Sequence, residues 1–532
     1  MTPLTLWTLV VAALPALRAP ADTVPLYDNL GNHHHAVTTR VESAQLYFDQ
    51  GLRLVFGFNH GEAIRAFNEG ARLDPSCAMC YWGAALARGP HVNAPMDSAS
   101  GVAAYAAAQK ALRLASKVSP HEQAYIRAVA KRYAPVPTAA NRAPLDSAYA
   151  RAMAEVVQKY PDDLDAATLY AEALMDLRPW NYWKQPSGDP YPGTLEIVSQ
   201  LERVLQAKPD HPGACHYYIH AVEAVQPERA VGCAERLAAL MPGDGHMVHM
   251  PAHIYIRVGR YADAIASNVH AVHTDEAYIE DQRPSGVYPL GYYPHNLHFL
   301  SFAATMAGQS ATAIDAARTL LAKTNLQVAA QVPLLQPFVS FLDLTLVTFG
   351  RWDDVLAQPL PPADIPYAVG MAHYARGVAF AATGKPTEAQ AELDALKQTA
   401  GGATPDNKTV FDIATHALLG EIASRQGKLD DAATHFKAAM AIEDGLLYFE
   451  PPTWYYPIRH SLGAVLLRAG HAAEAEQLYR EDLRRFPENG WALFGLLSAL
   501  RAQGKSAEAD AVEARFRKAW GTADVTLTAS RF

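Results

Sequence analysis

A glycine followed five residues later by an alanine recurs from residue 259 onward, and this pattern constrains the fold more than any other feature of the chain. The six pairs are Gly259/Ala264, Gly308/Ala313, Gly384/Ala389, Gly427/Ala432, Gly470/Ala475 and Gly504/Ala509. The steps from Gly350 to Gly384 and from Gly470 to Gly504 are both 34 residues long. Glycine accepts the left-handed backbone that commonly ends a helix. The spacing therefore predicts tandem hairpins of two helices.

This pattern resembles the tetratricopeptide repeat, a helix–turn–helix unit of about 34 residues. The best matches are an N-terminal stretch from Ala44 to Pro75 and a C-terminal stretch that includes Ala475, Tyr479 and Pro487. The resemblance implies an all-α fold, a solenoid of helical hairpins coiled into a right-handed superhelix. It also implies a concave groove that binds a peptide, a protein partner or a small-molecule ligand. Sustained alternation of apolar and polar residues is absent, so strands are not predicted.

The first residues are typical of an export signal. Leu6 to Leu14 is apolar, and Ala19 and Ala21 offer small-residue cleavage sites. This run is too short to span a bilayer comfortably, although a retained membrane anchor stays the alternative. No other segment is long and apolar enough, so we expect a mature chain without a stable membrane span. The chain also resembles exported bacterial tetratricopeptide proteins, which implies a periplasmic or secreted location.

The predicted organisation has five segments. They are a signal peptide (1–21), an irregular leader (22–40), an N-terminal repeat array with a histidine-rich concave face (41–325), a C-terminal repeat array (326–520) and a tail (521–532). We expect the leader run His33–His35 to be solvated, with closure over the groove as the alternative. The net charge is −9 and no run of Lys or Arg stands out, so nucleic acid is not an expected partner.

The four cysteines permit disulfides in an exported chain, with three possible pairings. Cys215 and Cys233 are predicted to lie on the two helices of one hairpin, where a bridge is sterically reasonable. Cys77 and Cys80 form a CxxC motif that is followed by Tyr81 instead of His, so the haem-attachment motif is absent. We favour a disulfide or buried thiols for this motif, with a redox or metal role as the alternative.

Seven histidines fall at helical spacings in three successive predicted helices. They are His216 and His220, then His246, His249 and His253, then His295 and His298. Residues three or four apart lie on one helix face. The resemblance implies that the first helix of each hairpin lines the groove, and alignment on the turns places these histidines at inward-facing positions. Because imidazole is the commonest metal ligand, we predict a transition-metal site for copper, zinc or iron.

Ordinary hydrogen-bonded packing is the alternative for the same histidines. Pro251 starts or kinks a helix between His249 and His253, which could leave His246 in an entry loop. Glu223 and Asp244, with Tyr217 and Tyr255, are candidates to orient the rings. The Pro-, Gly- and Tyr-rich stretch 278–294 is predicted to be a long loop, a natural lid or substrate wall.

Common catalytic motifs are absent, including HExxH, GxSxG and GxGxxG. Catalytic and cofactor-binding residues therefore stay unassigned. Two functions remain open. The first is an exported interaction module whose groove also carries a metal site. The second is a periplasmic metalloenzyme, dependent on copper, iron or zinc, that uses the histidines of three adjacent repeat helices.

Overall fold

The computed structural model describes residues 24–532, and these residues form α-helices joined by turns and short irregular segments. Within that part of the chain the only β-type contacts are two isolated bridges, His91–Ala94 and Trp183–Pro190. The prediction of an all-α fold is confirmed. Among the helices of residues 24–532, none has the combination of length and apolar character needed to cross a membrane. The predicted signal peptide, residues 1–21, lies outside the described residues.

The described residues divide into two compact units. Unit 1 comprises residues 24–254 and 269–293, and unit 2 comprises residues 255–268 and 294–532. The chain therefore passes from one unit to the other at residues 254, 268 and 293. The boundaries expected from the sequence at residues 40, 325 and 520 stay predictions.

Unit 1 consists of helices of very different length. They are α1 (Glu42–Phe56), α2 (His60–Leu73), α3 (Ala78–Leu86), α4 (Ser98–Leu114), α5 (Pro120–Ala130), α6 (Ala139–Lys159), α7 (Leu164–Met175), α8 (Thr194–Ala207), α9 (Pro212–Val222), α10 (Val231–Leu240) and α11 (Gly245–His249). Helices α12 (Pro251–Arg257) and α13 (Tyr261–Gln282) contribute residues to both units. Side-chain caps begin several of these helices, for example Asn59 at α2 and Asp163 at α7.

Unit 2 is built from regular helical hairpins. Its helices are α14 (Tyr293–Met306), α15 (Ser310–Lys323), α16 (Leu326–Gln331), α17 (Gln336–Thr348), α18 (Trp352–Ala357), α19 (Pro366–Ala382), α20 (Pro386–Gly401), α21 (Pro405–Arg425), α22 (Leu429–Glu443), α23 (Ile458–Arg468), α24 (Ala472–Arg485), α25 (Gly490–Ala502) and α26 (Ser506–Ala519).

The turn glycines behave as the repeat predicts. All seven have φ between +65° and +81°: Gly259, Gly308, Gly350, Gly384, Gly427, Gly470 and Gly504. The alanines five residues after the turns are buried, with Ala475 as an example. A Cβ atom at Gly463 would lie 2.3 Å from the Tyr479 ring, so the hairpin partners approach too closely for a larger residue. The tetratricopeptide-like hairpin is therefore confirmed at its turns and at its helix contacts.

Both cysteine pairs are disulfide-bonded. Cys77 pairs with Cys80, and Cys215 pairs with Cys233. The second bridge joins α9 to α10, as the hairpin reasoning suggested. It ties down the helix that carries His216 and His220.

Candidate metal centre

Three short helices carry the five predicted ligands that belong to unit 1. His216 and His220 lie on α9, His246 and His249 on α11, and His253 on α12. The Asp244 carboxylate accepts the backbone N–H of Met247 at 3.1 Å and caps α11. The alternative in which His246 lies in an entry loop is wrong, because this cap starts the helix ahead of it. Pro251 starts the separate helix α12 and does not kink a continuous one, so the first of the two alternatives for this proline is confirmed.

Three imidazoles from α9 and α11 meet in the interior of unit 1. The ring centroid of His216 lies 4.9 Å from that of His220 and 5.0 Å from that of His246. One nitrogen from each ring lies within 4.8 Å of the other two. The three residues are between 0% and 3% exposed. We call His216, His220 and His246 the trihistidine cluster.

The hydrogen bonds of the cluster decide which ring nitrogens are available to a metal. The Nδ1 atom of His216 lies 2.5 Å from the backbone carbonyl of Phe56. A carbonyl can only accept, so Nδ1 carries the proton and Nε2 keeps its lone pair. The Nε2 atoms of His216 and His220 and both nitrogens of His246 are buried without a hydrogen-bond partner. Unpartnered buried polar atoms are uncommon, and a shared cation would satisfy one nitrogen of each of the three rings at once.

Glu223 orients two further ring nitrogens. Its Oε1 lies 3.1 Å from Nδ1 of His220, and its Oε2 lies 2.7 Å from Nδ1 of His253. Burial favours the protonated acid, but the His253 and His220 imidazoles outweigh it and hold the pKa of Glu223 below its usual range. The ionised carboxylate accepts from both rings, so each Nε2 keeps its lone pair. A carboxylate behind a ligating histidine is a common partner in metal sites.

The His249/His253 pair lies beside the trihistidine cluster. The two Nε2 atoms are 2.9 Å apart, and both residues are almost fully buried. The His246 and His249 ring centroids are 5.9 Å apart, and those of His220 and His253 are 5.5 Å apart. The five histidines predicted on α9, α11 and α12 therefore form one continuous group.

Electrostatics keep the cluster neutral. Burial lowers the pKa of His216 and His246 well below the ordinary value, and the neighbouring imidazoles lower it further. Burial also lowers the pKa of His220, although the Glu223 carboxylate opposes it. Neutral imidazole is the form that binds metals, so the cluster needs no deprotonation at neutral pH.

Two strained aromatic residues contact the group. Phe58 has φ of 55° and Trp180 has φ of 62°, values that non-glycine residues rarely adopt. The Phe58 ring lies 4.5 Å from that of His216, and the Trp180 ring lies 4.9 Å from that of His220. Phe58 occupies the turn position at which the unit 2 hairpins have glycine. Strain retained at such positions marks functional sites, so these rings are part of the candidate centre.

Sequence reasoning missed these aromatic contacts, and it assigned no partner to His60 or His91. Their rings are 4.4 Å apart, and the His91 ring stacks on Phe58 at 4.7 Å. The only available signal was a Phe where the repeat has a turn glycine. Its meaning depends on contacts between residues far apart in the chain.

The stretch 278–294 is more ordered than a long loop. Helix α13 continues to Gln282 and a π-helical turn spans Tyr288–Tyr292, so only residues 283–286 are irregular. The expectation of a long loop is therefore wrong, because the backbone finds helical hydrogen bonds at both ends. The Tyr292 ring lies 4.5 Å from the His246 ring, so the stretch does contact the cluster. Short π-turns are common at functional sites.

His295 and His298 belong to unit 2 and are described with it. His298 is buried, its ring 4.1 Å from that of Phe341, and burial lowers its pKa to about 3. His295 lies in the first turn of α14, as Pro294 suggested, with its ring 5.2 Å from that of Phe299. A metal role for the seven histidines stays a prediction.

A second group of histidines in unit 1 has the opposite hydrogen-bonding pattern. The Asp165 carboxylate lies within hydrogen-bond distance of three imidazoles. It is 2.9 Å from Nε2 of His33, 3.0 Å from Nε2 of His211 and 2.7 Å from Nδ1 of His35. Nδ1 of His211 accepts the N–H of Ala214, so its Nε2 must carry the proton. A protonated nitrogen cannot bind a metal. This group ties the leader to α7 and α9, and the expectation that the His33–His35 run is solvated is wrong for its buried member His33.

The fold and the histidines define a class, namely all-α, tetratricopeptide-like helical-repeat proteins with a buried imidazole cluster. No protein-family model matches the sequence, and no curated protein matches it. Many solved structures are similar to the chain, among them human IFIT1 and yeast Tom70. The human IFIT1 dimer with m7Gppp-AAAA is 13% identical, with 91% of each chain covered and a TM-score of 0.33. Yeast Tom70 is 12% identical, with 91% of this chain and 92% of that chain covered and a TM-score of 0.30. Similarity this low carries no argument about the site.

Proposed function

We propose that unit 1 binds a transition-metal ion through His216, His220 and His246. The observation that carries this proposal is the convergence of three buried, neutral imidazoles whose facing nitrogens have no hydrogen-bond partner. A packed interior leaves such atoms unsatisfied only at a cost of about 1–3 kcal/mol each. A bound cation removes that cost, and Glu223 supplies a negative charge behind the ligands.

The ligand chemistry favours zinc, copper or iron. Imidazole suits all three metals, whereas magnesium and calcium prefer oxygen ligands. Three protein ligands leave a coordination position for water or a small molecule, which is the arrangement of catalytic zinc sites. The site is therefore a binding centre for an exogenous ligand as well as for the ion.

One observation favours a metalloenzyme as the second candidate. Asp244, which caps the helix that carries His246, is 2% exposed, and burial raises its pKa to about 7. Its Oδ2 atom has no hydrogen-bond partner. A buried carboxyl whose pKa is raised toward neutrality is suited to general acid–base catalysis, and Asp244 lies two residues before the ligand His246 in the sequence. We assign no substrate to this candidate.

Export and partner binding complete the proposal. Two disulfides are common in proteins of oxidising compartments, which supports a periplasmic or secreted location. Helical-repeat proteins generally use their inner surface to bind peptides or proteins, so we propose such a surface here by analogy of fold.

The test is the metal content of the protein purified without a histidine tag. We expect bound zinc, copper or iron in stoichiometric amount after extensive dialysis. A His216→Ala/His220→Ala variant should lose the ion. The matched control is His270→Ala/His273→Ala, which removes two exposed histidines at helical spacing from α13 of the same unit and should keep it. Protein that contains no metal and takes up none of the three would refute the proposal.

A further inference from the structure

We propose that a second metal ion binds at the His249/His253 pair, so that unit 1 holds a binuclear centre. This inference rests on the proposed function for the first ion, but it concerns residues outside the trihistidine cluster. Its starting observation is that two buried imidazoles face each other through their Nε2 atoms at 2.9 Å.

Two neutral imidazoles make such a contact only if one of the facing nitrogens carries a proton. Glu223 accepts from Nδ1 of His253, so Nε2 of a neutral His253 is a lone pair. In the neutral pair without a metal, His249 therefore donates its Nε2–H to His253. A cation can take the place of that proton, with the His249 proton moving to Nδ1. Two nitrogens that each lie about 2.0–2.1 Å from one ion reach a separation of this size.

The buried charge of Glu223 makes two neighbouring cations feasible. One carboxylate oxygen orients His220 of the first set, and the other orients His253 of the second. Glu223 is fully buried, and each of its two oxygens accepts a hydrogen bond from a different ligand set. A carboxylate in this position lies between the two ligand sets and offsets the repulsion of two ions.

With two imidazoles from the pair, the second ion keeps several positions for water or a small anion. Two ions about 3.5–4 Å apart that share an oxygen ligand are the arrangement used to activate water against esters and amides. The chemical class of ligand that fits the centre is accordingly an oxygen donor that bridges both ions.

Copper(II) provides the test in the intact, untagged, chelator-treated protein. Titration against a competing chelator should give two equivalents per chain in the wild type and one in His249→Gln, which leaves the Glu223 contact with His253 intact. With two equivalents bound, electron paramagnetic resonance should show a signal weakened by coupling between the ions. The variant should show one uncoupled copper signal of full intensity.

The outcomes separate the two proposals. One equivalent in the wild type, unchanged in His249→Gln, overturns the second site and leaves the first. No binding overturns both. Two equivalents in both proteins overturn the assignment to the pair. Circular dichroism and an unchanged affinity for the first ion establish that the variant is folded, and His253→Gln provides an independent second variant.

Discussion

At the scale of single residues, the direction of each imidazole proton separates a metal site from a structural network. In the trihistidine cluster, Nδ1 of His216 donates to a carbonyl and Nε2 faces the interior. Around Asp165, Nδ1 of His211 accepts a backbone N–H and Nε2 donates to the carboxylate. Both groups contain three histidines, and both lie mainly in the interior of unit 1. The hydrogen-bond direction gives them different chemistry.

Glu223→Gln should weaken metal binding about 10- to 100-fold, the usual effect of removing a carboxylate behind a ligating histidine. The amide offers one acceptor where two Nδ1–H groups need one each. Its NH₂ group would force one ring to present a protonated Nε2 to the ion. Competition with a fluorescent chelator measures the change. Glu196→Gln, which removes an exposed carboxylate from α8, is the control and should bind like the wild type.

Phe58 provides a second residue-scale prediction, on stability. Its positive φ costs about 1–2 kcal/mol for a residue with a Cβ atom, and glycine does not incur that cost. Both Phe58→Gly and Phe58→Ala lose the buried ring, at about 3–5 kcal/mol before any relief of strain. We therefore expect Phe58→Gly to be the more stable variant by about 1 kcal/mol.

Urea unfolding of the two variants checks this order. In an ordinary helical or extended position alanine is more stable than glycine, so the sign itself is diagnostic. A Phe58→Ala variant that is as stable as Phe58→Gly would show that the turn carries no strain.

At the scale of elements, the sequence predicts what depends on local backbone and little else. The turn glycines identify the hairpins because a left-handed residue at a helix end is a local requirement, as at Gly384. The spacing of His216 and His220 places both on one face of α9 for the same reason. The meeting of α9 with α11 depends on packing, and the contact of His33 with Asp165 joins residues 132 positions apart. Neither has a local signal.

The Cys215–Cys233 bridge should contribute more stability than the Cys77–Cys80 bridge. The bridges close loops of 18 and 3 residues. The chain-entropy model gives about 3 kcal/mol for the first and about 1.5 kcal/mol for the second. Denaturant unfolding of Cys215→Ala/Cys233→Ala and of Cys77→Ala/Cys80→Ala measures both. Equal losses would mean that loop closure does not dominate. The first variant should also bind metal more weakly, because it frees α9.

At the scale of the whole molecule, the two units should respond differently to acid. In unit 1, burial lowers the pKa of six histidines: His60, His91, His211, His216, His220 and His246. Below pH ~6.5 the unfolded chain binds protons at these positions while the folded chain does not. The free energy of unfolding therefore decreases as the pH decreases. Each of these histidines lowers the free energy of unfolding by up to about 1.4 kcal/mol for every pH unit of acidification.

Groups with raised pKa act in the opposite sense. In unit 1, burial raises the pKa of Asp244 to about 7 and also raises those of Glu172 and Asp176. A carboxyl with a raised pKa holds its proton in the folded chain at pH values where the unfolded chain has lost it, so these groups add stability as the pH falls. The pKa of His35 is raised by Asp165 against the effect of burial. His35 therefore also contributes more stability at low pH than at high pH. The six histidines with a lowered pKa outnumber these groups.

In unit 2 the two kinds of group balance. Burial lowers the pKa of His298 to about 3 and lowers that of His435, while it raises the pKa of Asp343 to about 7 and that of Glu443 to about 8. Between pH 6.5 and 4.5 the metal-free unit 1 should therefore lose up to about 4 kcal/mol of unfolding free energy per pH unit, and unit 2 should change little.

Hydrogen exchange of the whole protein, corrected for the intrinsic pH dependence of the rates, measures both units in one sample. Peptides from α9 and α11 should lose protection between pH 6.5 and 5 in the chelated protein, while peptides from α21 and α22 keep theirs. A bound metal holds the imidazoles in their neutral form, so the loaded protein should keep its α9 protection to lower pH. Equal loss of protection in both units would show that the buried histidines do not control acid stability. A loaded protein that opens at the same pH as the chelated one would place the metal somewhere other than on α9 and α11.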